Sequence, residues 1–286
     1  MIRAARARFT GLILLCALLA PPAFPQGDRP GSIDFVVLAT PSVGRAEPGR
    51  RAPVLLLSRS FADIVKEAED SLPAPDLNEF VDSLEITPEL KAWMKRTQVV
   101  NLSGPDFMRQ LKNDDIMEVP EFLSAYLARN AVDVAVGFPK PKYTESERQK
   151  DPAKYEKQRK DYMDGIRKFM QTYAHSRDGI DLHLVSLNPG HRWTRRLAER
   201  REDTRLRALE LANTRYLVAR GETDLDGRAG FVNVPAGDYW LSTLDREVRA
   251  GDVRLRWDAA VTVSAGQATR IELNNYNAVP RDREPR

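Results

Sequence analysis

Cysteine is almost missing from this chain: the single one, Cys16, sits inside an apolar run near the start. Beyond that run no disulfide and no cysteine nucleophile is available. Histidine is nearly as scarce. His175, His183 and His191 are the three present, none paired at helical i+3 or i+4 spacing, and there is no HExxH. A zinc site needs three or four converging ligands. Only a convergence of these histidines with Asp178 and Asp181 across the fold would supply one, and the sequence leaves that convergence open. A serine hydrolase elbow is missing too: Ser103 is followed by Gly104 but lacks the preceding glycine of G-x-S-x-G. Glycine motifs that cradle phosphate are absent. Past the N-terminus there is no apolar run approaching the roughly 20 residues that span a bilayer as a helix. No catalytic, cofactor-binding or metal-binding residue is therefore assigned, no cofactor is expected, and the chain is expected not to be an enzyme.

What stands at the start is a basic stretch with Arg3, Arg6 and Arg8, then the short apolar run Gly11–Leu19, then Ala20, Pro21, Pro22 and Ala23. That layout predicts a signal peptide over residues 1–23, with Ala23 suited to the position before the cut. The mature chain is then periplasmic or extracellular and, without disulfides, bacterial. Leu15 rather than a small residue precedes Cys16, so lipidation is not expected. Without the three leader arginines the chain carries 41 basic and 41 acidic residues. The overall charge is thus no argument for nucleic-acid binding, and no nucleic-acid partner is expected.

Along the mature chain the hydrophobic period changes twice. Ser32–Thr40 alternates, with Ile33, Phe35, Val37 and Ala39 on one face, and Pro53–Ser58 is a short apolar run; both read as strands. Phe61–Leu72 has helical spacing, Thr87-Pro88-Glu89 is a helix start, and Pro105–Leu111 and Pro120–Ala128 read as further helices. Thr144 and Glu147 stand at capping-box spacing, and Asp151-Pro152 offers a second start. Tyr155, Tyr162, Ile166, Phe169 and Tyr173 then form a seam resembling that of a coiled coil. A second helix, about His191–Ala212, carries Trp193, Leu197, Thr204, Ala208 and Leu211. The simplest expectation is a charged helical hairpin over about 144–212, packed seam against seam. The alternation Ile180, Leu182, Leu184 between the two reads as a short strand or extended connector.

After Asn213 the period returns to two. Thr214–Thr223, Arg228–Val234, Asp238–Leu244, Val253–Val263 and Ala268–Leu273 alternate between turns at Asp224–Gly227, Pro235–Gly237 and Ala265-Gly266. The expected fold class is α+β: a seven-stranded antiparallel β-sandwich interrupted by a large helical insertion. Its strands come from residues 24–59 and 214–277, the insertion from residues 60–213, and a disordered tail covers 278–286. Such an insertion is tolerated because loop-closure entropy grows slowly with length.

Thr223, Asp224, Asp226, Gly227, Phe231, Pro235, Gly237 and Tyr239 resemble the turn-and-hairpin signature of carboxypeptidase regulatory-like domains and their transthyretin-like and collagen-adhesin B-type relatives. The aromatic of that pattern usually comes two residues after Gly227; here Ala229 stands there and Phe231 follows. The resemblance covers mainly residues 214–277 and implies a prealbumin- or Ig-like sandwich. It also implies a non-catalytic role as spacer, adhesion module or accessory domain.

Three clusters bear on chemistry. Glu222, Asp224, Asp226 and Gly227 look like the start of a calcium loop, but the twelfth position is Asn233 rather than a bidentate glutamate, so a hairpin turn is expected. Asp114, Asp115, Glu118 and Glu121 have the composition of a glycosidase pair, yet read more simply as acids at a helix N-terminus. Trp193, Trp240 and Trp257 would make a sugar-stacking platform if exposed together and are otherwise core. The expected function is an exported, non-catalytic protein-interaction or structural module of the cell envelope, with protein (self or envelope partner) as partner. A carbohydrate- or cell-wall-binding module, and a hydrolase with its site in the insertion, are the alternatives.

Overall fold

The computed structural model describes residues 29–131 and 137–280. The signal-peptide reading over 1–23, Cys16 and the end of the tail lie outside the described residues. The fold is α+β and divides into two compact units. One comprises the described residues through Ile64 together with those from Leu209 onward; the other is Val65–Ala208.

The first unit holds the strands. β1 (Gly31–Ala39) is central to one sheet. It pairs on one side with β10 (Ala268–Leu273) and on the other with β5 (Arg228–Val234) and, at its end, the two-residue β2 (Glu47–Pro48). The second sheet runs β4 (Leu217–Glu222), β3 (Pro53–Leu57), β6 (Gly237–Ser242), β9 (Asp258–Val263). A ribbon of β7 (Val248–Ala250) and β8 (Val253–Leu255) completes the set. The alternation of β1 buries Ile33, Phe35, Val37 and Ala39 and turns Asp34 outward, as period two requires. Both four-stranded sheets feed one apolar cluster, from Ile33 and Phe231 in the first to Leu56, Leu241 and Val261 in the second.

The expectation of seven antiparallel strands is corrected on two counts. There are ten strands in three sheets among the described residues, and β1 runs parallel to β10, Ser32 opposite Ala268 through Val37 opposite Leu273. The parallel pair arises because the chain reaches β10 only after visiting every other strand, so no tight hairpin dictates its direction. The expected strand Val253–Val263 is two: Trp257 breaks it, buried with its backbone N–H on Thr243 Oγ1 (3.1 Å) and its indole N–H on the Asn274 carbonyl (2.9 Å). The tail also starts later than residue 278, since Ala278 pairs with Trp257 and Val279 donates to the Arg256 carbonyl.

Helices α1 (Phe61–Ser71) and α9 (Gly190–Thr214) run across the boundaries of the units. Between them lie α2 (Leu77–Asp82), α3 (Pro88–Thr97), α4 (Gly104–Gln110), α5 (Asn113–Glu118), α6 (Pro120–Asn130), α7 (Glu145–Lys150) and α8 (Pro152–Thr172). Their starts follow the capping chemistry of the sequence. Thr87 caps α3 at Leu90 N, Asp151 caps α8 at Lys154 N, and Glu147 accepts from Thr144 N. The core of this unit centres on Trp93, edge-on to Phe107 and Phe122 at 5.7 and 5.0 Å.

The seam of α8 has a different use from the one expected. Ile166, Phe169 and Met170 enter this helical core, α8 packing on α5 and on the 3-10 turn that follows it rather than along α9. Tyr155 is covered instead by Tyr143, ring centroids 5.1 Å apart. The connector Ile180–Leu184 is not a strand: 3-10 turns occupy Ile180–His183 and Val185–Leu187, with Ile180 and Leu184 buried and Leu182 out.

Candidate functional site

The clusters singled out by sequence have structural employment. Asp224 Oδ1 accepts from the N–H groups of Asp226 (2.9 Å) and Arg228 (2.8 Å), closing the turn with its own carboxylate. In the same turn Gly227 has φ +76°, and a Cβ there would lie 2.6 Å from the Val37 carbonyl oxygen. Asp115 is buried, paired with Arg96 and accepting from Lys112 N at 2.8 Å. Glu121 holds Thr87 through both N–H and hydroxyl, at 2.9 and 2.7 Å. Asp114 and Glu118 are exposed. The four acids thus serve separate tasks and do not face one another as an acid–base pair.

His175 lies at the surface with Nδ1 3.1 Å from Asp178, His191 is exposed on α9, and His183 lines a shallow groove with Thr87 and Glu121. Among the described residues no three His, Cys, Asp or Glu side chains are grouped to hold a metal. The tryptophans do not meet. Trp193 packs on Phe80 at 5.1 Å in the helical unit, Trp257 is core in the β unit, and Trp240 is half-buried on β6.

A different set of residues surrounds a cavity of about 750 Å³ on the outer face of the β5–β1–β10 sheet. The register sets out two rows. Gly230, Asp34 and Arg270 stand side by side across the three strands, and Arg228, Val36 and Glu272 form the next row. Strand pairing fixes the spacing, since adjacent strands lie about 4.8 Å apart. Gly230 keeps the centre open: a Cβ there would lie 3.1 Å from Asp34 Oδ1 and 2.9 Å from the Ile33 carbonyl oxygen. The side chains of Asp34, Arg228 and Arg270 have neither ion pair nor hydrogen bond among the described residues. Glu272 accepts from Asn274 Nδ2 at 2.9 Å. The face thus alternates donors that cannot accept with acceptors that cannot donate.

Sequence reasoning passed over this face because its residues are spread over three strands far apart in the chain. The available signal was the polar phase of the alternation in Ser32–Thr40, which sends Asp34 outward, but it does not name the neighbours. Those follow from the antiparallel pairing of β1 with β5 and its parallel pairing with β10.

No helix among the described residues is long and apolar enough to cross a membrane. No protein-family model matches the chain, and no curated protein does. One solved structure is similar: a Pseudomonas aeruginosa protein described as a putative carbohydrate binding protein, 14% identical, with 89% of this chain and 99% of that chain covered at a TM-score of 0.26.

Proposed function

We propose that this chain is an exported, non-catalytic binding protein of the cell envelope whose β5–β1–β10 face takes a saccharide. The observation that carries the reading is the unpaired set Asp34, Arg228 and Arg270 on three adjoining strands, around a cavity of about 750 Å³. Pockets of a few hundred to about 1,000 Å³ suit small ligands. A sugar hydroxyl both donates and accepts, so it satisfies a carboxylate and a guanidinium together, which a simple anion or cation does not. Strands hold these groups more rigidly than loops, which lowers the ordering cost of binding. The signal-like leader supports export, and the resemblance of Thr223–Tyr239 to carboxypeptidase regulatory-like domains agrees with a non-catalytic role.

The test is a glycan array read with the full chain, followed by calorimetry on the strongest binder. Asp34→Ala and Arg270→Ala should each weaken binding by about tenfold, the equivalent of 1.4 kcal/mol. Silence of the array with a folded protein sinks the saccharide reading. A protein partner is the second reading, favoured by Leu182 and Val185, which are 73% and 68% exposed on neighbouring 3-10 turns. Loss of a co-purifying envelope protein on changing both to Asp would support it.

A further inference from the structure

A second pocket in the β unit is lined by arginine. It has a volume of about 510 Å³, and Arg50, Arg51, Arg246 and Arg249 surround it with Glu47 and Glu247. Glu247 lies 3.8 Å from Arg254, so part of its charge is already answered. The four lining guanidinium groups make no ion pair or hydrogen bond among the described residues. Scattered surface arginines need no explanation. Four like charges lining one concavity repel one another unless an anion sits among them.

Both walls of the pocket are built, not loose. The turn carrying Arg50 and Arg51 is tied to Thr223, itself buried. The Thr223 hydroxyl donates to the Gly49 carbonyl and accepts from Ala52 N (2.8 Å), while its backbone carbonyl accepts from Arg51 N (3.1 Å) and its N–H donates to the Ala52 carbonyl (3.1 Å). Arg51 is held at φ +48°, a left-handed conformation that a non-glycine residue adopts at a cost. The opposite wall follows β6. Thr243 exchanges backbone and hydroxyl bonds with Trp257, Leu244 sits at φ +55°, and Arg246 N closes the turn on the Thr243 carbonyl at 3.0 Å. Gly49 lets the walls meet: a Cβ there would fall 2.6 Å from Val37 Cγ1 and 3.0 Å from Val248 Cγ1.

We propose that this pocket binds a phosphate-bearing ligand. Guanidinium groups present planar forks of N–H donors that match phosphate oxygens in pairs, and several forks from two rigid walls suit a group with more than one charge. The pocket is separate from the saccharide face, and the inference does not depend on it. The phosphate can come from a free phosphate ester or from a lipid headgroup.

Calorimetry of the full chain with inorganic pyrophosphate, and co-sedimentation with phosphatidylglycerol vesicles, test both sources. Saturable pyrophosphate binding that weakens with added salt is expected, falling by about tenfold or more in Arg51→Ala/Arg249→Ala. Arg51→Lys/Arg249→Lys keeps the charge but loses the paired bonds, so an intermediate loss is expected. Lys160→Ala, exposed on α8 and lining neither pocket, should change nothing. Vesicle binding lost in the same double variant, with pyrophosphate ignored, supports the pocket with a headgroup as the source. The proposal is overturned if a folded chain retains neither probe, or if the alanine double variant binds as the parent does. In either of those results saccharide binding at Asp34 and Arg270 stands or falls on its own assay.

Discussion

At the scale of the residue, Thr223 carries more structure than its place in a turn signature suggests. Among the described residues its hydroxyl is the side-chain partner of both Ala52 N and Gly49 O, and all three residues are buried. Thr223→Val keeps the shape and strands both groups, which should cost about 2–4 kcal/mol, read as a lower denaturant midpoint. Thr223→Ser keeps the hydroxyl and should lose well under half of that. Equal losses in the two would show that packing, and not hydrogen bonding, holds the turn. A second residue sets a pH dependence. Asp258 receives hydrogen bonds from Phe61 N and Ala62 N at the start of α1, at 3.0 and 3.2 Å. Burial nevertheless outweighs these bonds and raises its carboxyl above the usual 3.8. A carboxyl with a higher value folded than unfolded binds more protons in the folded state, so its contribution to stability falls as pH climbs from 3.8 through the raised value. The stability of the parent relative to Asp258→Asn should therefore shrink as pH rises above the usual carboxylate value. A difference in denaturant midpoints that widens over that rise contradicts the assignment.

At the scale of the element, starts were legible and partners were not. Thr87-Pro88, Thr144 with Glu147, and Asp151-Pro152 announce α3, α7 and α8 because an N-cap is a local bond between residues three apart. The face a helix buries is also local, and Tyr155, Ile166 and Phe169 were readable as one side of α8. Which surface that side meets is not local. Spacing of seven, four and three fits a partner helix and a mixed core equally, and here the core took it. The same limit hid β2 and β7, too short to show a period, and the pairings that assemble the Asp34 face. Phe169→Asp separates the two pictures of α8. Its ring lies 5.1 Å from Phe138 and 4.7 Å from Tyr173 by centroid, so the variant buries an unpaired carboxylate. The helical unit should lose about 3 kcal/mol or more, seen as a lower melting midpoint. A chain that merely halved its mass in light scattering, with its midpoint unchanged, would restore the exposed seam.

At the scale of the whole molecule, the chain builds two apolar clusters that share no residue. One runs from Phe80 and Trp93 to Leu184, the other from Ile33 to Leu273. The β cluster is assembled from both ends of the sequence, so its formation pays loop closure over the whole helical stretch, whereas the helical cluster is contiguous. The helical unit therefore has the lower contact order and the faster route to its fold. A cavity at Trp93 tests how far the clusters stand alone. Trp93→Ala removes a ring packed edge-on against Phe107 and Phe122 and should cost about 3–5 kcal/mol. If each cluster is its own cooperative unit, amide exchange in α3, α4 and α6 should speed up by the factor that this energy implies. Protection in β3 and β6, which belong to the other cluster, should stay at the parental level. Equal acceleration in both places would mean that the two clusters melt as one, and the Asp34 face and the arginine pocket would then owe their rigidity to the helical core as well as to their own strands.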